Sequence, residues 1–235
     1  MLRSAASSPV LAQDEPPNPW VSVDYVRDNA DAILAATREH VTLTLVSVVL
    51  GLLLAVPLAL LARRFRRLET PVVGFAGVLY TIPSLALFAV LAPVTGLSEK
   101  TVVIGLTAYT LLVLVRNVLA GLDGVPDDVR EAARGMGVGG LQMLARVELP
   151  LALPAIVAGL RVATVSTVAL VTVGVVVGHG GLGQLLFAGF NNNLYRAEIF
   201  TATALCVLLA LAADLLLLGA ERLLTPWARR TRAAA

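Results

Sequence analysis

Apolar residues in this chain gather into five long blocks separated by short polar stretches. A helix needs about 20 largely apolar residues to cross a bilayer. Residues 40–62 meet that length with only Thr42, Thr44 and Ser47 polar after His40 at their start, and residues 71–91 form a second block interrupted at Pro83. Residues 101–122, 151–177 and 199–224 complete the set. The pattern predicts an all-α, polytopic helical membrane protein with about five transmembrane helices. Ahead of the first block, residues 24–39 place Tyr25, Val26, Ala30, Ile33 and Leu34 at helical spacing among charges. That spacing predicts an amphipathic helix lying at the interface, because a spanning helix would bury Arg27, Asp28, Asp31, Arg38 and Glu39 in hydrocarbon.

The longest polar interruption, residues 123–150, is itself patterned. Pro126 suits a first helical turn, and Asp127 and Asp128 favour the positive end of the helix dipole. A short helix is expected to run to Arg134 and break over Gly135 and Gly137. A second is expected over 141–147, with Pro150 and Pro154 at the start of the fourth span. Small Ala132 and Ala133 would let another surface approach closely, Gly137 would permit a backbone turn, and Glu131 would offer a carboxylate to a basic group.

Composition agrees with a membrane protein: 57% of residues are hydrophobic, 14% are charged, and the mean hydropathy is +0.83. A net charge of +2 with no aromatic-interleaved basic run argues against nucleic acid as a partner. Lys100 is the only lysine among many arginines, a bias that fits a GC-rich bacterial genome. Cys206 is the only cysteine, so no intrachain disulfide forms, and His40 and His179 are too few for a metal site. Residues 1–21, rich in proline and lacking the apolar core of a secretory signal, are expected to be a disordered extracytoplasmic tail. Residues 228–235 are expected to be a basic cytoplasmic tail.

Arginines orient the spans. Arg63, Arg64, Arg66 and Arg67 follow the first, Arg130, Arg134 and Arg146 lie between the third and fourth, and Arg222, Arg229, Arg230 and Arg232 follow the fifth. With five spans all three clusters fall on one side, which the positive-inside rule makes the cytoplasm. The opposite connections hold only Lys100 and Arg196, so the N-terminus is expected outside and the C-terminus inside.

Glu131-Ala132-Ala133, then Gly137, then Val147-Glu148-Leu149-Pro150 resembles the EAA loop of ABC-transporter permeases, with Val147 where that family often has isoleucine. Residues 77–84, 159–163 and 178–183 are similar to stretches of the permeases for glycine betaine, carnitine and choline uptake, and the resemblance covers residues 40–227. It implies a type I ABC importer fold in the bacterial inner membrane, with the loop docking on a separate ATPase subunit. It implies a second permease subunit, identical or related, and an extracytoplasmic substrate-binding protein. The solute implied is a small osmoprotectant such as a quaternary amine, with an amino acid or other small solute as the alternative. ATP and Mg are expected on the ATPase subunit and no cofactor on this chain, which lacks the phosphate-cradling G-x-x-x-x-G-K-[ST] sequence. The coupling residues implied are Glu131, Ala132, Ala133, Gly137, Leu149 and Pro150. A secondary transporter, for which a convincing internal repeat is missing, and a membrane scaffold are the more distant alternatives.

Residues 178–183 also match G-x-G-x-x-G, but a dinucleotide fingerprint needs a strand–turn–helix unit, and the apolar run before residue 178 is too long for one strand, with Asn191–Asn193 and Arg196 downstream. A glycine-rich turn feeding a short segment over 184–190 is expected. Three ionisable residues lie within spans and need a partner or a wet interior. Arg116 is expected to snorkel to the inner interface, Arg161 to snorkel or pair, and Asp214 to pair with an arginine or serve solute passage. Asn117 is expected to bond between helices. Tyr80, Phe88 and Tyr109, with Pro83 at the interruption, are candidate pathway positions, since aromatic faces attract quaternary ammonium. No set of residues suggests an enzyme.

Overall fold

The computed structural model describes residues 18–227. A short helix, α1 (Val23–Asp28), is capped by the Ser22 hydroxyl, which accepts from the Tyr25 N–H at 3.1 Å. It ends at Asn29, whose side-chain amide donates to the Tyr25 carbonyl. The next helix, α2 (Ala30–Arg64), runs without a break for 35 residues. This corrects the expected division at residue 39. The interruption falls at Asn29, whose side chain bonds the backbone carbonyl of Tyr25 one turn back, whereas nothing between 30 and 40 stops a helix. The expected disordered tail, residues 1–21, overlaps the described residues at its end, where 18–21 are placed. The Asn18 side chain accepts from the Arg196 N–H at 2.8 Å and donates to the Leu194 carbonyl at 3.0 Å. Residues 1–17 and the basic segment 228–235 lie outside the described residues.

After one 3-10 turn (Arg66–Leu68), the second apolar block forms two helices, α3 (Glu69–Thr81) and α4 (Ser84–Thr95), bent by 96°. Steric conflict with the Pro83 ring holds Ile82 extended, at ψ 127°, and Pro83 has no N–H to continue the ladder. The Ile82 carbonyl so released accepts from the Tyr109 hydroxyl.

The centre of the bundle is α5 (Glu99–Asp123), packed against α2, α3, α4 and α8 (Leu149–Val171). Ala55, Ala59 and Ala62 of α2, Leu114, Val118 and Leu122 of α5, and Ala152 and Ile156 of α8 form the larger core. Small residues allow the close approach that helix packing within a membrane requires. Gly159 lies directly against Asn117, and any Cβ there would overlap it. Asn117 donates to the Val113 carbonyl of its own helix at 2.8 Å, which corrects the expected interhelical bond. A second core joins Leu43, Phe88, Val102, Leu106 and Val171. Phe88 is fully buried there against Gly105, so it is a packing residue and not a pathway aromatic.

Between α5 and α8 come α6 (Asp127–Gly135) and α7 (Gly140–Met143). The latter passes through a π-helical turn (Leu144–Glu148) straight into α8, so the expected separate helix over 141–147 is the first part of a 38-residue helical run, Gly140–Val177. Its last turn (Thr172–Val177) is 3-10. Residues 178–183 form the expected turn into α9 (Leu182–Asn191). The turn is pinned by buried His40, whose Nε2 donates to the Val168 carbonyl at 2.9 Å and whose Nδ1 accepts from the Leu182 N–H at 3.3 Å. The chain closes with α10 (Arg196–Leu224), which packs on α8 and α9. Among the described residues four helices are long and apolar enough to span a membrane, and the bent α3–α4 pair provides a fifth crossing if it counts as one span. Helix content is high and no strand occurs among the described residues.

Candidate functional site

The polar loop separates into an exposed part and a buried support. Helix α6 ends in a Schellman arrangement: the Val138 N–H reaches the Ala133 carbonyl at 3.1 Å and the Gly137 N–H reaches the Arg134 carbonyl at 2.9 Å. This geometry places Gly137 at φ +80°, a left-handed backbone that side chains disfavour. The space around its missing Cβ is open, so conformation rather than crowding calls for glycine here. Glu131 and Ala132 are exposed on α6. Ala133, expected to lie open to an approaching surface, is buried beneath the helix at 3% exposure in this chain. Met136 and Leu141 on either side of Gly137 are 78% and 84% exposed, unusual for large apolar side chains in a polar loop.

Leu149 and Pro150 are half-buried at the start of α8 and contribute through the helix shape rather than the exposed face. Pro150 lacks an N–H and its ring conflicts with the carbonyl four residues back, which explains the wide π turn immediately before it. That turn carries Glu148, a buried carboxylate that receives two guanidinium groups. Arg63, at the end of α2, makes a two-pronged contact with both Glu148 oxygens at 2.8 Å each. Arg130, on α6, donates from Nε to Glu148 Oε1 at 3.0 Å. Arg130 also reaches Asp127 at 2.7 Å and the Leu122 carbonyl at the end of α5 at 2.7 Å, and Arg63 Nε lies 3.2 Å from Asp123. One carboxylate in the loop thus joins α2, α5, α6 and α8. The Arg63 hydrogen bonds hold the Glu148 carboxyl below the usual carboxylate range, aided by Arg130 and opposed by burial. Sequence reasoning used Arg63 and Arg130 only to orient the chain and passed over Glu148. The available signal was an acid set between aliphatic residues at the mouth of a span.

An open groove of about 710 Å³ lies beside this cluster between α2 and the loop, with Leu60, Arg64, Arg134, Leu141 and Met143 in its walls. The opposite end of the bundle has a different character. There His179 Nδ1 approaches Glu39 at 3.4 Å and Glu99 at 4.0 Å.

Within the spans, Arg161 and Asp214 form a two-pronged pair at 2.8 and 2.9 Å, joining α8 to α10, with Glu221 3.8 Å from Arg161. The pair borders a mostly apolar groove of about 520 Å³ that includes Ala158, Val165 and Ala210. Arg116 is exposed near the end of α5. Tyr80 and Tyr109 meet edge to face at 5.9 Å beside the Pro83 break, with Tyr109 buried and Tyr80 45% exposed. The structure therefore brings Tyr80, Pro83 and Tyr109 together, and Arg161 with Asp214, but does not join the two groups or Arg116 to either.

A multi-pass helical bundle, with a broken span and an exposed loop helix braced on buried charge, places the chain among polytopic helical membrane proteins. The chain belongs to the family of binding-protein-dependent transport system inner membrane components, whose pattern matches residues 47–230. It is 36% identical over 205 residues to the choline transport system permease protein OpuBB of Bacillus subtilis, covering 87% of this chain and 94% of that one. Identity to the osmoprotectant import permease protein OsmW of Salmonella typhimurium is 39% over 210 residues, covering 87% and 97%. The MetNI methionine ABC transporter, solved in inward-facing conformations, superposes with a TM-score of 0.70 over 80% of this chain and 93% of that chain. At 23% identity this likeness concerns the fold alone, that of the type I ABC importer permeases. The chain is thus an ABC permease of the inner membrane, and the secondary-transporter and scaffold alternatives fall.

Proposed function

We propose that this permease carries a quaternary-amine osmoprotectant such as choline, glycine betaine or carnitine into the cell, driven by a separate ATPase. The observation that carries the reading is the identity of 36% and 39%, over nearly the whole length of both proteins, to permeases named for choline and osmoprotectant transport. An extracytoplasmic binding protein delivers the solute, and a second permease subunit completes the pathway. The loop end faces the cytoplasm, as the arginine distribution favours. Its exposed face, Glu131, Ala132, Met136 and Leu141, docks on the ATPase, which holds the ATP and Mg.

ATP binding closes the ATPase pair and displaces α6, and the two permease subunits rock so that the pathway opens on the other side. Contacts of α6 must persist through both states for the displacement to be transmitted. The exposed face of Tyr80 is the position in this chain best suited to attract a passing ammonium.

The test is reconstitution of the permease in proteoliposomes with its ATPase and binding protein, followed by uptake of labelled choline, glycine betaine, carnitine, methionine and histidine. ATP-dependent uptake of a quaternary amine is expected. Uptake of an amino acid alone would replace the solute assignment, and uptake driven by an ion gradient without ATP would overturn the reading.

A further inference from the structure

Helix α6 has weak mechanical ties of its own. It has 9 residues, too few to be stable in isolation, and its backbone packs only lightly on the rest of the described structure, most of all against α7. Its connections to the bundle run through Gly124 on one side and through Gly137, Gly139 and Gly140 on the other. Buried Val125 and the ring of Pro126 stiffen the first joint, but the glycine-rich second one leaves the helix free to swivel under a push. The side chain that opposes this is Arg130, whose three nitrogens are all engaged: with Glu148, Asp127 and the Leu122 carbonyl. Glu148 is in turn fixed by Arg63 of α2 through both oxygens and sits on the π turn that leads into α8.

We propose that Glu148 is the positioning residue that makes α6, α2 and α8 move as one body, so that displacement at the docking face becomes displacement of the spans. Its side chain is buried and acts through the two arginines. The Arg63–Glu148 fork gives that side of the joint direction as well as strength, because two parallel hydrogen bonds resist rotation where a single one would not. On the α6 side, Arg130 is held at two separate points, Glu148 and the Leu122 carbonyl. The inference rests on the loop being the ATPase dock.

The test compares wild type, Glu148→Gln and Arg130→Gln in the full transporter with its ATPase and binding protein. In both variants the ATPase subunit is expected to co-purify at the wild-type ratio and ATP turnover to stay within about twofold, while solute moved per ATP falls about tenfold. In the permease alone, amides of α6 are expected to exchange with solvent about tenfold faster while those of α5 and α8 keep their protection. Arg130→Gln leaves the Arg63–Glu148 pair in place, so it isolates the α6 side of the joint should Glu148→Gln fold poorly. Unchanged solute per ATP, or unchanged α6 protection, would overturn the proposal. Loss of ATPase binding would also overturn it, since Glu148 would then shape the docking face. A failure of the importer reading would appear in wild type as absent ATP-driven uptake, whereas a failure of this inference appears only in the variants.

Discussion

At position 137 backbone conformation sets the demand, since φ is +80° and the surrounding space is open. Valine there should cost about 1–2 kcal/mol and displace the end of α6, and asparagine, which tolerates the left-handed region, should be milder. Uptake measured alongside membrane insertion is expected to rank glycine above asparagine above valine, with insertion unaffected. Glu131→Arg should likewise abolish uptake and leave insertion intact. Glu148 adds a pH dependence with a definite sign. Its carboxyl is held below the ordinary range in the folded protein, so its contribution to stability is full above the unfolded value, about 4.3 for glutamate. That contribution is lost as pH falls through the lower folded value. The melting temperature of the purified protein should therefore exceed that of Glu148→Gln at pH 7, and the difference should shrink towards pH 3. A constant difference across that range would show that the charge is not what stabilises the joint.

At the scale of elements, Pro150 and Pro83 both break a helical ladder with different results. Before Pro150 the helix widens for one turn and continues, whereas at Pro83 it stops and turns by 96°. Replacing Pro150 with alanine restores the missing N–H and lets the run close to a regular α-helix. Removing one residue from a turn rotates the preceding segment by about 100°, which would carry Glu148 away from Arg63. Solute moved per ATP is expected to fall in Pro150→Ala as it does in Glu148→Gln. The break at Pro83 was legible in the sequence but its angle was not, because the angle depends on Phe88 seated against Gly105 and on the Tyr109 hydroxyl at Ile82. The stop at Asn29 was missed because the amphipathic period continues through it. Local spacing does not show which polar side chain will bond a nearby backbone carbonyl, as Asn29 does at Tyr25.

For the whole molecule, the bounds of α5 and α10 follow closely from apolar block lengths, since nothing but hydrocarbon thickness is needed to place them. Glu148 could not be placed this way: its partners lie 85 and 18 residues away, and its burial exists only once α2, α6 and α8 have assembled. The orientation of the assembled bundle is open to a direct test. With Cys206 changed to serine, single cysteines at Met136 and at Asn192 can be challenged in intact cells by a membrane-impermeant maleimide. Labelling is expected at 192 and not at 136, and the reverse would invert the arrangement of the loop end.

The Arg161–Asp214 pair also bears on how the protein is made. The two partners are 53 residues apart in sequence, so the guanidinium leaves the ribosome well before its carboxylate. The fourth span must therefore wait at the insertion machinery, or sit in lipid with a naked charge, until the fifth arrives. Chains that stop short of α10 should be recognised by membrane proteases as unfinished, and one ion pair would then serve as the mark of a completed subunit.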